Sequence, residues 1–176
     1  MNVAASVAEK SMQTVVESYK NMGFSIALTH THNVEDANDV FQEVFLTYWR
    51  RQPAINSEEH RKAWLITTAL NCSLKVTSSS WSRKVVPLLD AQHPAQQECS
   101  FHFRTDEEQA LFDALSGLPA KYRTVLHLFY FEDMPVAQIA ATLQIEAGTV
   151  KVQLSRGRAL LREQLGTQAE RIPFDD

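Results

Sequence analysis

The side chains with the clearest potential for recognition chemistry lie in an acid-free stretch at residues 147–162. Arginine can form two hydrogen bonds to guanine, glutamine can form two to adenine, and an aliphatic side chain can contact the methyl group of thymine. A helix that presents such types on one face suits the major groove of DNA. On a helical wheel the outward face holds Thr149, Val152, Ser155, Arg156 and Arg162, with Lys151 and Arg158 on one flank and Gln153 on the other.

A helix-turn-helix is the element that would position this face. Val136, Ile139, Ala140 and Leu143 indicate a short amphipathic helix, and residues 144–146 form a tight connection. The inner face of a second, longer helix is marked by Val150, Leu154, Gly157 and Leu161. A short helix, a three- or four-residue turn and a longer helix are typical of the DNA-binding motif. A solvated basic face on an ordinary helical hairpin is the alternative interpretation.

A second candidate surface lies on a predicted helix at residues 36–51. Its buried stripe comprises Ala37, Phe41, Val44, Phe45 and Tyr48. Apolar side chains beside acids on the outer face indicate a protein-docking surface. A solvated helix with two partly exposed apolar residues is the alternative. The outer face and its flank hold Asp36, Asp39, Gln42, Glu43, Leu46, Trp49 and Arg50.

No arrangement of residues typical of an enzyme or a metal site is found. The chain has no Gly-rich phosphate loop, nucleophile elbow or paired metal-ligand helix. His30 and His32, or His93, Cys99 and His102, have irregular spacing for zinc. We therefore expect no catalytic residue, no metal, no cofactor and no small-molecule substrate.

Composition favours an all-α fold. The 176 residues include 44% hydrophobic residues, enough for a packed core, but few of the glycines and prolines expected of an all-β fold. The sequence contains no apolar run of about 18 residues and no secretory signal, and its two cysteines form no disulfide framework. We expect a cytoplasmic protein.

The charge is unevenly distributed along the chain. The formal net charge of −4 counts against a nucleic-acid binder when taken alone. However, residues 60–89 form a second acid-free stretch, with Arg61, Lys62, Lys75, Arg83 and Lys84. Local basic surface sets phosphate affinity, so both acid-free stretches remain candidates for contact with DNA.

The pattern predicts two helical domains. The first covers residues 1–85, with a third helix from Ser57 to about Ser73, and the second covers residues 106–168. Residues 86–105 lack a sustained period and contain two prolines, so we predict a linker there. Residues 169–176 are predicted to be a tail.

These motifs, in this order, resemble those of bacterial extracytoplasmic-function sigma factors of the sigma-70 family. DANDVFQEVFLTYWR is similar to the family's polymerase-binding helix, whose usual pattern is D-x-x-D-x-x-Q-E-x-F-L. KAWLITTALN resembles the start of the promoter −10 helix. The segment from LPAKYR to RALLRE resembles the −35-binding helix-turn-helix, including its G-T-V-K step. The resemblance covers residues 10–85 and 106–165, which would correspond to sigma regions 2 and 4.

The resemblance implies a role for each set of residues. The partners would be the RNA polymerase core, at the clamp of its largest subunit, promoter DNA, and an anti-sigma factor, often held at the membrane. Polymerase docking would use Asp36, Asp39, Gln42, Glu43, Leu46 and Trp49. Melting and reading of the −10 element would use Asn71, Lys75, Trp81, Arg83 and Lys84. Reading of the −35 duplex would use Thr149, Lys151, Val152, Gln153, Ser155, Arg156 and Arg158.

The sequence also departs from the family pattern. Lys75 stands where the family usually has Asp, and VTSSS replaces an Arg-rich run. Val152, Gln153 and Gly157 replace the more usual Ser, Arg and Ala. Trp81 is interpreted equally well as a core residue or as a stacking platform for an unpaired base. Two alternatives remain: a helix-turn-helix regulator with a sensory helical domain, and a sigma-like adaptor that lacks promoter-melting activity.

Overall fold

The computed structural model describes residues 11–83 and 105–166, with side chains in the first range described as far as Ser78. All regular secondary structure within these two ranges is helical, which confirms the predicted fold class. The chain divides into two compact units, Met1–Ser100 and Phe101–Asp176. Apart from Thr105, the predicted linker lies outside the described residues, as does the predicted tail.

The described residues of the first unit form three helices that pack against one another: α1 (Met12–Thr31), α2 (Val34–Arg51) and α3 (Glu58–Arg83). The connection from α1 to α2 is short because His32 adopts a left-handed conformation with φ 56°. Asn33 then caps α2, where its side chain accepts a hydrogen bond from the Asp36 amide at 3.0 Å. The fully buried core includes Val15, Phe24, Ile26, Ala37, Val40, Val44, Leu65 and Ile66.

The third helix is longer than the sequence predicts. The prediction that Ser57 begins it is confirmed, since the Ser57 hydroxyl accepts a hydrogen bond from the His60 amide at 3.0 Å. The helix continues beyond Ser73 to Arg83. The serines and threonines in this part of the helix are accommodated by bonds to preceding carbonyls: the Ser73 hydroxyl donates to the Ala69 carbonyl and that of Thr77 to the Ser73 carbonyl.

Between residues 105 and 166, the second unit contains four helices: α4 (Asp106–Ser116), α5 (Ala120–Tyr130), α6 (Val136–Leu143) and α7 (Ala147–Leu165). Thr105 caps α4 by accepting a hydrogen bond from the Glu108 amide at 3.1 Å. Arg123 is buried and its guanidinium donates to the Ser116 carbonyl at 2.8 Å, which fixes the turn between α4 and α5. Burial lowers the pKa of Arg123.

The predicted helix-turn-helix is confirmed in position and length. Pro135 precedes the first residue of α6, and Gln144 ends that helix in a left-handed conformation with φ 57°. The Ile145 amide donates to the Ala140 carbonyl at 3.0 Å, and α7 begins two residues later. Because α7 packs against α4, α5 and α6, three helices support one side of it and leave the other side open.

Candidate nucleic-acid and protein interfaces

The recognition face of α7 is exposed as the sequence predicts. Val150, Leu154, Gly157 and Leu161 are the buried residues of this helix. The side chains of Thr149, Lys151, Val152, Ser155 and Arg156 are exposed, and Gln153 is half-buried. An aliphatic side chain, Val152, is 48% exposed in the middle of this face, a position from which it could contact the methyl group of a base.

A glycine allows α7 to lie close to α5. A Cβ placed on Gly157 would lie 3.0 Å from Leu126 Cδ1 and 3.2 Å from Tyr122 Cβ. The first distance is at the limit of contact between real carbon atoms, so a larger residue would require these neighbours to shift. Gly157, which stands where the family more usually has alanine, therefore lies at a tight contact between α5 and α7.

Arg158 has a different environment from the rest of the predicted face. It is half-buried, and its Nε donates a hydrogen bond of 2.8 Å to the Tyr130 hydroxyl. Its guanidinium carbon lies 5.7 Å from the centre of the Phe129 ring and 5.8 Å from that of Tyr130. These contacts direct Arg158 toward α5, and its predicted contact with DNA stays a prediction.

Sequence reasoning missed one residue that the fold brings to this face. A groove of about 370 Å³ is lined by α7 residues and by Lys121 and Tyr122 of α5. Lys121 is 28 positions before Thr149, and a helical wheel of α7 gives no signal for it. The α7 residues in the groove are Gly148, Thr149, Val152, Gln153 and Arg156.

The outer face of α2 carries apolar side chains among polar ones, as predicted. Leu46 is 44% exposed and Trp49 is 58% exposed. Asp39, Gln42 and Glu43 are exposed on the preceding turns, whereas Asp36 is half-buried near the start of the helix. Ala37, Val44 and Phe45 are buried on the opposite side, so the packing of α2 against α1 and α3 fixes which face remains open.

A buried polar network supports the end of α2 that carries Trp49. Arg61 has no solvent-exposed surface, forms an ion pair with Glu58, and donates from Nε to the Tyr48 hydroxyl at 3.1 Å. The Tyr19 hydroxyl donates to Glu58 at 2.8 Å. Burial, assisted by this hydrogen bond to a carboxylate, raises the pKa of Tyr19 to about 12. One buried cation thus connects α1, α2 and α3.

Two of the residues predicted to meet the −10 element lie at one cleft. Asn71 and Lys75 are exposed on α3 and line a cavity of about 290 Å³ between α3 and α2. Arg50 and Arg51 of α2 line the same cavity, which sequence reasoning did not link to α3. Trp81 and Arg83 lie in the last turn of α3, but their side chains are outside the described part of the chain, as is all of Lys84.

The two units match two family models in the order in which they occur. The model described as "Sigma-70 region 2" matches residues 15–81, and "Sigma-70, region 4" matches residues 108–161. The first match contains the exposed face of α2 and the second contains the helix-turn-helix.

Curated relatives give the same result. The chain is 30% identical over 161 residues to the ECF RNA polymerase sigma factor SigL of Mycobacterium tuberculosis, a match that covers 90% of this chain and 91% of that protein. The chain belongs to the extracytoplasmic-function RNA polymerase sigma factors. It is also 27% identical over 168 residues to a Xanthomonas campestris protein named "Probable RNA polymerase sigma factor RfaY"; that match covers 92% of this chain but 42% of the relative.

The fold of this sigma factor is similar to that of a solved family member. The sigma factor RpoE, crystallised with the anti-sigma factor NepR from Bartonella quintana, superposes with a TM-score of 0.67 at 24% identity. The superposition covers 87% of this chain and 95% of that one. Sigma factors direct RNA polymerase to promoters at transcription initiation, and the match of both regions gives this chain that function.

Within residues 11–83 and 105–166, no helix is both long and apolar enough to cross a membrane.

Proposed function

We propose that the first unit binds the RNA polymerase core through the outer face of α2, at the clamp of the largest subunit. The exposure of Leu46 and Trp49 beside Glu43 supports this assignment, because apolar surface rimmed by polar groups is typical of protein interfaces. Asp39 and Gln42 extend the docking face, and Asp36 lies at its edge. The Arg61 network keeps this face in register with α1 and α3.

The same unit holds the −10 element along α3. Asn71 and Lys75 supply an amide and a cation at the cleft between α2 and α3, which Arg50, Arg51 and the carboxylate of Glu43 also line. Although Glu43 pairs with Arg50 at 3.8 Å, the cations at the cleft outnumber this one carboxylate. Unpaired bases need polar or stacking partners beside a basic groove, and this cleft supplies the polar and basic part. Trp81, Arg83 and Lys84 are assigned here from the family resemblance alone.

The second unit reads the −35 duplex with α7. The single observation that carries this role is that α7 buries one face completely while the face with Lys151, Val152 and Arg156 is open to solvent. Arg158 acts as a positioning residue, since its bond to Tyr130 fixes α7 against α5. The side chains that contact bases or their flanking phosphates are Thr149, Lys151, Val152, Gln153, Ser155 and Arg156.

The protein works in the cytoplasm as a binding protein without catalytic activity of its own, and an anti-sigma factor holds it inactive. The superposition with RpoE, which was crystallised with an anti-sigma factor, supports this last point. Such a partner would cover a face that the polymerase also needs.

The proposal is tested by gel filtration of the full chain with purified bacterial core RNA polymerase. We expect the chain to elute with the core as a stoichiometric complex. Transcription from a promoter-containing template should then require the added chain. A chain that binds promoter DNA alone but never elutes with the core would favour an ordinary helix-turn-helix regulator. A chain that binds the core without supporting transcription would favour the adaptor.

A further inference from the structure

The groove between α5 and α7 contains a cation that the proposed function does not use. Lys121 is exposed and forms the α5 wall of this groove together with Tyr122. The opposite wall consists of the residues with which α7 is proposed to read the −35 element, among them Gln153 and Arg156. Lys121 of α5 and the proposed DNA-reading residues of α7 therefore line the same concave surface.

The groove is basic. Lys121 and Arg156 lie on its two walls, and none of the described residues that line it is acidic. The first turns of α5 and α7 likewise contain no acidic residue. Local positive potential of this kind attracts the phosphates of a nucleic acid even when the net charge of the chain is negative.

The lysine ammonium contacts a neighbouring aromatic ring. Lys121 Nζ lies 4.9 Å from the centre of the Tyr122 ring, a cation–π distance. Tyr122 lies at the contact between α5 and α7, with its Cβ 3.2 Å from the position that a Cβ on Gly157 would occupy. The ring contact thus favours a position of the ammonium group beside the groove, next to a side chain that lies in the contact between the two helices.

We infer that Lys121 binds a backbone phosphate of the −35 duplex, next to the base pairs read by α7. This inference rests on the proposed function of α7. A lysine ammonium is a compact point charge that suits a phosphate, and phosphate contacts fix the register of a protein on DNA without reading its sequence. When a recognition helix enters the major groove, the elements beside it meet the sugar–phosphate backbone, which is where α5 places Lys121.

The test compares holoenzymes reconstituted from core polymerase and the full chain, either wild type or Lys121→Ala. The probe is a fluorescent duplex that spans the −35 element of a promoter selected by the wild-type holoenzyme from a random-sequence library. For Lys121→Ala we expect about fivefold weaker binding at physiological salt and a log–log salt slope that is smaller by about one, because one fewer counterion is released. Relative affinities for single-base variants of the probe should stay the same.

Three further variants make the result specific. Lys121→Arg keeps the charge and should keep the salt slope. Lys121→Gln should behave as Lys121→Ala does, which excludes a folding defect of the alanine variant. Lys20→Ala removes the same charge from α1, where Lys20 pairs with Glu17 at 2.9 Å, and should match the wild type.

Two results would overturn the inference: a salt slope for Lys121→Ala equal to that of Lys20→Ala, or a change in base preference at a single position. Arg156→Ala is measured in the same series. If Arg156→Ala alters base preference and Lys121→Ala has no effect, this inference fails and the proposed function stands. If neither variant has an effect, the proposed function of α7 fails as well.

Discussion

Arg158 and Tyr130 are joined by a hydrogen bond of 2.8 Å between the guanidinium Nε and the phenol oxygen, which ties the middle of α7 to the last residue of α5. The guanidinium also lies over the rings of Phe129 and Tyr130. Arg158, a basic residue of the helix proposed to read DNA, therefore stabilises the packing of α7 against α5.

Arg158→Ala should loosen the second unit without changing its base preference. The loss of a charged hydrogen bond and of the ring contacts should lower the free energy of local opening of α5 and α7 by roughly 1–3 kcal/mol. Hydrogen exchange of peptides from the two helices measures this energy. Tyr130→Phe removes only the hydrogen bond and should have a smaller effect. Unchanged exchange together with altered base preference would show that Arg158 contacts DNA instead.

Arg156→Ala should change base preference without changing the stability of the second unit. Arg156 is exposed on the open face of α7, so its removal should leave hydrogen exchange unchanged. Loss of one base contact should cost about 1–3 kcal/mol of binding free energy and relax preference at one base pair. Transcription from a library of −35 variants measures this preference. A promoter profile identical to that of the wild type would exclude Arg156 from base recognition.

Leu46→Asp combined with Trp49→Ala should abolish elution with core polymerase. Both side chains are exposed, so the change removes an apolar docking surface without opening the core of the first unit. Val34→Asp is the matched control, since Val34 is 53% exposed on the first turn of the same helix, where an acid is also favourable. The docking assignment is wrong if the double variant still elutes with the core or if the control variant also fails to do so.

Alkaline pH should lower the free energy of unfolding of the first unit, because Tyr19 loses its proton. Its pKa is about 12 in the folded chain and near 10 when exposed, so its contribution is complete below pH 10. As the pH rises from 10 to 12, the unfolded chain releases the phenol proton first, and the free energy of unfolding falls. Urea titration followed by tryptophan fluorescence measures this, because all three tryptophans, Trp49, Trp64 and Trp81, lie in the first unit.

Tyr19→Phe is the control for this pH dependence. It removes the titrating group, so the decrease in the free energy of unfolding between pH 10 and pH 12 should be smaller than in the wild type. At neutral pH the variant should be less stable by about 1 kcal/mol, because the hydrogen bond to Glu58 is lost. Identical pH profiles for the two proteins would show that Tyr19 is not held in its neutral form by folding.

Local periodicity was sufficient to predict α7 and its inner face, since a 3.6-residue repeat is fixed by neighbours in sequence. The position of Lys121 could not be predicted in this way, because it depends on how closely α5 approaches α7 at Gly157. The contact of Arg158 with Phe129 and Tyr130 could not be predicted for a similar reason: a helical wheel gives the angle of a side chain but not the aromatic rings beside it.

The end of α3 was also beyond sequence reasoning. Residues 76–80 read VTSSS, which weakens a helix when only intrinsic propensity is considered. The hydroxyl groups of Thr77 and Ser78 bond to carbonyls one turn earlier, and the helix continues. The buried cation Arg61 likewise appeared in the sequence as one more basic residue of an acid-free stretch, although it lies inside the first unit.

Run-off transcription with reconstituted polymerase tests the central claim most directly, namely that α2 recruits the polymerase and α7 selects the promoter. Core polymerase with the wild-type chain should initiate at a defined set of promoters in a genomic template library. The Leu46→Asp, Trp49→Ala variant should produce no transcript, and Arg156→Ala should shift which promoters are used. Core polymerase that binds the wild-type chain but initiates at no promoter would contradict the account.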